Sequence, residues 1–201
     1  MLSTLSSVKL RLAIPDLDVT NDALLTTALV AISARFDSET NRILTRTVNS
    51  LQEFDTDDTE ILPVCYPIES VSKFELKTSE TEGWIEQTNV TYLIRSNCIV
   101  SLQSPLSTTG GLSRSGQPST CRLTYTGGYV MPGTSPGAGQ TALPSDLEQA
   151  ALEQVAYWFQ NRDKLGLLRH RPNQGTYIQL DKLDLLPGVT AVLKGHSRWA
   201  I

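Results

Sequence analysis

The side chains best suited to acid–base or nucleophilic chemistry are few and far apart in this chain. There are two histidines, His170 between two arginines and His196 near the C-terminal end. Neither has a cysteine, a serine elbow or a paired carboxylate beside it. A nucleophile and a base can still meet in space, so a small hydrolase with a non-local site stays open as an alternative. We predict that the protein is not an enzyme and has no catalytic residues.

The three cysteines, Cys65, Cys98 and Cys121, fit neither a disulfide framework nor a zinc site, because their number is odd and their spacing is wide. We interpret them as small buried strand residues. A metal site would have to combine two distant histidines with scattered acids. We therefore predict no metal site.

Two other segments resemble ligand loops but lack the necessary residues. In TSPGAGQT, residues 134–141, Thr134 stands where a phosphate-binding loop has its first glycine and Gln140 where it has its lysine. The acidic run DTDDTE, residues 55–60, lacks the glycine and terminal glutamate of a calcium loop. We predict a connector and a solvated turn, and no cofactor.

The element most clearly encoded is a helix over residues 143–162, LPSDLEQAALEQVAYWFQNR. Ser145 and Glu148 have the spacing of a capping box, and Gly166 is the expected stop. Apolar residues recur at helical spacing and extend around the cylinder to Trp158 and Phe159, which predicts neighbours on more than one side. Such a helix is typical of a packed bundle or a subunit interface.

A second helix is predicted from Thr20 or Asn21 to about Asn41. Its apolar stripe consists of Leu25, Leu29, Ile32 and Phe36. A short opening helix over 3–13, ended by Pro15, and a polar turn over 16–21 precede it.

The centre of the chain changes to strand patterns. Short runs rich in branched and aromatic residues are separated by Pro, Gly, Ser, Thr and Asn, at 46–54, 61–64, 71–77, 90–95, 98–102 and 121–125. Ser96 and Asn97 have the position of a two-residue hairpin turn. The segments 104–120 and 131–142 are predicted to be flexible loops.

We predict an α+β fold: a helical bundle, residues 3–45 and 144–165, with an inserted antiparallel β-sheet region, residues 46–130, and an extended C-terminal arm. The domain comprises 1–168 and the arm 169–201. The arm is apolar in part, aperiodic apart from a possible strand at 176–180, and basic, with 6 Lys/Arg against 3 Asp/Glu over 163–201, whereas residues 1–60 hold 5 against 10. Such a tail is typical of a segment that finishes folding on another subunit.

The 201 residues with net charge -4 describe an ordinary soluble chain without a run of about 18 apolar residues, so we expect a cytoplasmic location and no membrane partner. The sheet offers too few basic and aromatic residues for specific nucleic-acid binding.

Three stretches occur in an order that resembles the head-tail connector, or adaptor, proteins of tailed bacteriophages. They are LPVCYPIESVSKFEL at 62–76, LTYTGGYVMPG at 123–133 and LPSDLEQAALEQVAYWFQNRD at 143–163. The opening residues 6–44 also resemble that family. The resemblance covers roughly 4–165 and brings no catalytic motif.

The resemblance implies a virion structural protein of the neck, assembled in the host cytoplasm. Members typically form twelve-fold rings under the portal protein, extend the DNA channel and dock the next neck protein, a stopper or tail-completion protein. Genomic DNA would pass through the lumen without sequence-specific binding, which an acidic lining favours. A head-completion stopper is the alternative role within the neck.

The resemblance also implies that the bundle helices, 20–41 and 145–162, build the ring body and that the flexible loops and the C-terminal arm make contacts to the portal and neighbouring subunits. The expected interaction residues are Trp158, Phe159, Arg162, Arg169, Arg171, Tyr177, Arg198, Trp199 and Ile201. We expect removal of the residues beyond Pro172 to leave the helical core folded and to abolish docking to the portal.

Overall fold

The computed structural model describes residues 1–56, 58–103, 120–162, 167–169, 179–180 and 185–198. It confirms the predicted α+β class. The described residues divide into two compact units. The helical unit contains the described residues within 1–40, 131–133 and 143–197, and the β unit contains those within 41–130 and 134–142, together with Arg198.

The helical unit contains four helices: α1 (Leu5–Arg11), α2 (Asp22–Thr40), α3 (Ser145–Gln160) and α4 (Pro187–His196). The side chain of Thr4 caps α1 by accepting from the Ser7 amide at 3.1 Å. The predicted stripe of α2 is fully buried, and Asn41, with φ 50°, follows the last helical residue in the left-handed conformation. Helices α2 and α3 pack together, and α1 packs against both.

The start of α3 corrects the predicted capping box. Pro144 is the N-cap residue and no side chain caps the helix there. The Glu148 carboxylate accepts from the Ser3 hydroxyl at 3.1 Å, and so it ties α3 to the chain before α1. A tertiary contact therefore replaces the local one. The expected stop at Gly166 lies outside the described residues, and the helix ends at Gln160 with Asn161 as its C-cap residue.

Helix α4 lies in a segment that we predicted to be aperiodic, and this prediction was wrong for residues 187–196. Val189 and Leu193 are buried, and α4 packs against α2 and α3. Pro187 at the first turn favours the start of the helix. The sequence did not predict this helix because its buried face consists of two apolar residues four positions apart, and so short a pattern also occurs by chance.

The β unit contains nine strands in the described residues. They are β1 (Thr47–Asp55), β2 (Glu60–Ile61), β3 (Ile68–Lys77), β4 (Ile85–Gln87), β5 (Tyr92–Arg95), β6 (Ile99–Leu102), β7 (Thr120–Gly127), β8 (Tyr129–Val130) and β9 (Thr141–Ala142). An antiparallel four-stranded sheet has the order β1-β7-β3-β4, and a three-stranded one has the order β2-β6-β5. Strands β8 and β9 pair in parallel.

The core of the β unit joins the two antiparallel sheets. Its members are Phe54, Ile61, Cys65, Ile68, Phe74, Leu76, Val100, Leu102, Cys121, Leu123 and Tyr125. The predicted hairpin is present, but its turn has three residues, 96–98, and not two, because Arg95 pairs with Ile99. Ser96 and Asn97 both have positive φ, and Cys98 N donates to Arg95 O at 3.1 Å. Cys65 and Cys121 are buried, whereas Cys98 is half-buried in the turn.

Backbone pairing also occurs between β10 (Leu167–Arg169) and β11 (Gln179–Leu180). Strand β11 falls within the strand predicted at 176–180. The loop predicted at 104–120 lies outside the described residues except for Thr120, the first residue of β7. None of the helices in the described part of the chain is long and apolar enough to cross a membrane.

Candidate interaction surfaces

Three of the predicted interaction residues lie together at the end of α3. Trp158 and Phe159 are half-buried and Arg162 is exposed. The Arg162 guanidinium donates to Phe159 O at 3.1 Å and lies 4.8 Å from the centre of the Phe159 ring. Tyr157 adds a ring that is 42% exposed. We call residues 157–162 the aromatic end of α3.

The aromatic end follows from the helical period. Leu147, Ala150, Ala151 and Val155 form the buried stripe of α3. Tyr157 and Phe159 fall beside that stripe, because successive residues are about 100° apart. Arg162 forms no ion pair with any of the described residues.

The remaining predicted residues are placed only in part. The Arg198 guanidinium donates to Leu62 O, and its Nε is buried without a partner among the described residues. The backbone of Arg169 lies in β10, and its side chain is outside the described set. Arg171, Tyr177, Trp199 and Ile201 also lie outside the described residues.

Arg198 lines an acidic cleft of about 510 Å³ in the β unit, together with Gln52, Glu53, Phe54, Asp55, Asp58, Glu60, Ile61, Leu62 and Thr120. The cleft lies beside the outer strands of the two antiparallel sheets, β1 and β2. Glu60 pairs with Arg95 at 2.5 Å, and Asp58 accepts from the Asp55 amide at 3.3 Å. Burial, with the nearby charges of Asp55 and Asp58, raises the pKa of the Cys121 thiol to about 11.

The cleft favours a cation through its carboxylates. A hydrolytic site would also need a base beside a nucleophile, and the described lining contains no histidine, serine or cysteine. Groups of three or more metal-ligating side chains are absent from the part of the chain that the structure describes.

His196 lies elsewhere, at the end of α4. Its Nε2 is 2.8 Å from Asp146 Oδ2 at the start of α3, and this hydrogen bond holds the pKa of Asp146 below its ordinary value. The fully buried Gln154 accepts from the Leu186 amide at 2.8 Å, just before α4. The His196–Asp146 pair and Gln154 therefore fix α4 to α3 at both of its ends. His170 lies outside the described residues.

The loop between α1 and α2 is a surface that we did not predict. We expected a polar turn at 16–21, but Leu17 is 95% exposed and Val19 is 70% exposed, and Leu10 at the end of α1 is 83% exposed. These are the most exposed large hydrophobic residues in the described chain. Asp16 and Asp18 alternate with them. We call residues 15–20 the acidic apolar loop.

A buried cation fixes the base of this loop. The Lys9 ammonium, 3% exposed, lies 2.6 Å from Asp22 and donates to Asp16 O at 3.0 Å. Within the loop, Asp18 N donates to Pro15 O at 3.0 Å and Thr20 N donates to the Asp18 carboxylate at 3.0 Å. The sequence signal for this loop is the alternation of acidic and apolar residues. An ordinary solvated turn can show the same alternation, so the exposure of Leu17 and Val19 is needed to distinguish the two.

Helix α2 adds further apolar surface. Residues 23–34, ALLTTALVAISA, contain no charged side chain. Only one face is buried, while Leu24 is 50% and Val30 53% exposed. A helix that is apolar all round is usually buried on all sides.

This chain resembles known proteins in fold rather than in sequence. No protein-family model and no curated protein sequence matches it at a significant level. Two solved structures each contain a chain whose fold matches that of this protein along the whole length of this protein. One is described as "Neck of empty GTA particle computed with C6 symmetry", with a TM-score of 0.58, 18% identity and coverage of 100% of this chain and 91% of that chain. The other is "Virion of native gene transfer agent (GTA) particle", with a TM-score of 0.55, 17% identity and the coverages 100% and 91%.

The likeness is one of fold. It extends over the helical and β segments, in agreement with the α+β class predicted from the sequence. At this identity it transfers no residue roles.

Proposed function

We propose that the protein is a structural connector (adaptor) in the neck of a tailed phage-like particle. It forms a ring, twelve-fold in the simplest case, beneath the portal protein, extends the DNA channel and docks a stopper or tail-completion protein. The observation that carries the proposal is the fold shared along the whole chain with a protein of a gene transfer agent neck. The protein would reside in the virion after assembly in the host cytoplasm.

The surfaces support a role in assembly. Exposed aliphatic side chains occur on the acidic apolar loop, on α2 and at the end of α1, and aromatic ones at the end of α3. Large exposed apolar patches on a protein surface mark protein–protein contacts. The acidic cleft, by contrast, holds no nucleophile–base pair among the described residues. We therefore propose a structural protein without turnover.

The charge of the chain suits a conduit for DNA. The net charge is -4, and residues 1–60 hold 10 Asp/Glu against 5 Lys/Arg. Carboxylates facing a lumen repel phosphates, so that a duplex slides without sticking. Sequence-specific DNA contacts form no part of this role.

Analytical ultracentrifugation tests the ring. The purified protein, alone or mixed with portal protein, should sediment as a closed ring of about a dozen copies. A monomer under both conditions would refute the proposal. Pull-down against portal and against tail components separates an adaptor, which binds both, from a stopper, which binds a neck protein but not the portal.

A further inference from the structure

The helical unit presents two surfaces of opposite charge that are each unpaired. The acidic apolar loop bears Asp16 and Asp18, and neither carboxylate forms an ion pair with the described residues. The Asp16 carboxylate accepts from Ser6 Oγ at 3.4 Å, and the Asp18 carboxylate accepts from Thr20 within the same loop. The aromatic end of α3 bears Arg162, whose guanidinium donates to Phe159 O, lies against the Phe159 ring and forms no ion pair with the part of the chain that the structure describes.

Both surfaces also expose apolar groups next to the unpaired charge. On the loop these are Leu17 and Val19, and at the aromatic end they are Tyr157 and the uncovered part of Phe159. Among the other exposed cations of the described residues, Arg35 pairs with Glu39 and Arg95 pairs with Glu60. The aromatic end is thus the described surface where an unpaired cation adjoins exposed rings.

The loop is arranged for binding before any partner arrives. Lys9 holds its base, and the turn bonds within residues 15–20 fix its backbone. Little conformational entropy is then lost when Leu17 and Val19 become buried, which favours affinity.

We propose that the acidic apolar loop of one copy binds the aromatic end of α3 in the next copy of this chain. The occupant is a second copy because the loop and the aromatic end are complementary in charge and polarity and belong to one sequence. Such a contact is head-to-tail, and head-to-tail contacts close into rings when the rotation permits. This inference rests on the proposed ring.

Charge reversal tests the contact. The loop variant carries Asp16→Lys and Asp18→Lys, and the end variant carries Arg162→Glu. Each variant alone places like charges opposite each other, which should raise the protein concentration needed for half-assembly at least about tenfold. Asp16→Lys alone keeps the bond between Thr20 and Asp18 and serves if the double change unfolds the loop. Glu86→Lys, on exposed β4, is the matched charge control and should assemble normally.

Mixing then distinguishes this contact from any other. In a ring of alternating loop and end variants, lysine meets glutamate at one contact and aspartate meets arginine at the next. An equimolar mixture of the two non-assembling variants should therefore form rings with equal numbers of each, as counted by native mass spectrometry. A chain carrying all three changes should also assemble.

Two results would overturn the inference. One is normal assembly of the loop variant and the end variant, each with a wild-type melting curve. The other is failure of both the mixture and the triple variant to form rings. In either case wild-type rings would leave the proposed function intact, whereas a wild-type chain that never forms rings would remove the function first.

Discussion

Gly127 and Gly128 show how two small residues fix the join between distant backbone segments. A Cβ at Gly127 would lie 2.5 Å from Cys65 O and 2.8 Å from Pro67 O. One at Gly128, where φ is +100°, would lie 2.7 Å from Thr45 O. Only glycine lets the chain beyond β7 approach both backbones.

Gly127→Ala should therefore destabilise the protein by about 1 to 3 kcal/mol, because the blocking atoms are backbone and cannot rotate away. Gly188→Ala is the control. Its Cβ meets no atom within 4 Å, so we expect no loss of stability, and a gain from the better helix former. Urea unfolding measures both, and equal midpoints would contradict the steric account.

The cysteines should differ in reactivity. Cys121 has a pKa of about 11 in a buried site, so at pH 8 about one thiol in a thousand is ionised. We expect iodoacetamide to label the half-buried Cys98 first and Cys121 only after unfolding. Peptide mass spectrometry with and without urea gives the order, and rapid labelling of native Cys121 would show that the β core opens.

Among the elements, α4 changes an expectation formed from the sequence. We expected the chain beyond Pro172 to be dispensable for the helical core, but α4 buries Val189 and Leu193 and satisfies the Gln154 carbonyl. Deletion after residue 184 would leave that oxygen unpaired and expose the apolar faces of α2 and α3.

We expect this truncation to lower the melting temperature of the helical unit as well as to affect any docking. Val189→Ser is the point variant for the same contact, and Lys194→Ser, at an exposed position of α4, is its control. Circular dichroism at 222 nm follows the loss. A truncated chain that melts like the wild type would return α4 to the role of a passive arm.

The contact between α3 and α4 should also depend on pH. The hydrogen bond from His196 lowers the folded-state pKa of Asp146 below 3.8, so its stabilisation is present above that value and is lost as pH falls through the lower folded pKa. Asp146 is half exposed, which limits the effect to at most about 1 kcal/mol. Asp146→Asn should reduce stability at pH 6 and have little effect near pH 2. An equal loss at both pH values would assign the effect to packing.

For the whole molecule, the distribution of charge should govern assembly. The contact between the acidic apolar loop and the aromatic end combines rim charges with apolar burial. Salt screens the charges over about 10 Å at 0.1 M and about 3 Å at 1 M, but it does not weaken apolar contacts. Raising NaCl to 1 M should weaken rings without abolishing them, and the loop variant should assemble better at high salt than at low salt. Light scattering across a salt series measures the assembly of the wild type and of the loop variant. Stronger wild-type assembly and weaker loop-variant assembly at high salt would contradict the charge assignment.

Long periodic segments were predictable because the spacing of their apolar residues indicates which face of the helix or strand is buried. The stripe Leu25, Leu29, Ile32 and Phe36 predicted α2, and branched residues between turn signals predicted most of the strands in the two antiparallel sheets. The hairpin at Ser96 and Asn97 was also local, since asparagine tolerates left-handed φ. The α+β class followed from these elements.

What depends on distant partners came only from the tertiary structure. Glu148 bonds Ser3 instead of capping α3, Lys9 is buried between two loop ends, and α4 is held by Gln154 across 32 residues of sequence. In the sequence, Leu17 and Val19 are two apolar residues within a polar turn. Only the tertiary structure shows that both are exposed. A sequence records which side chains can be buried, whereas the packing of the whole chain decides which of them have something to be buried against.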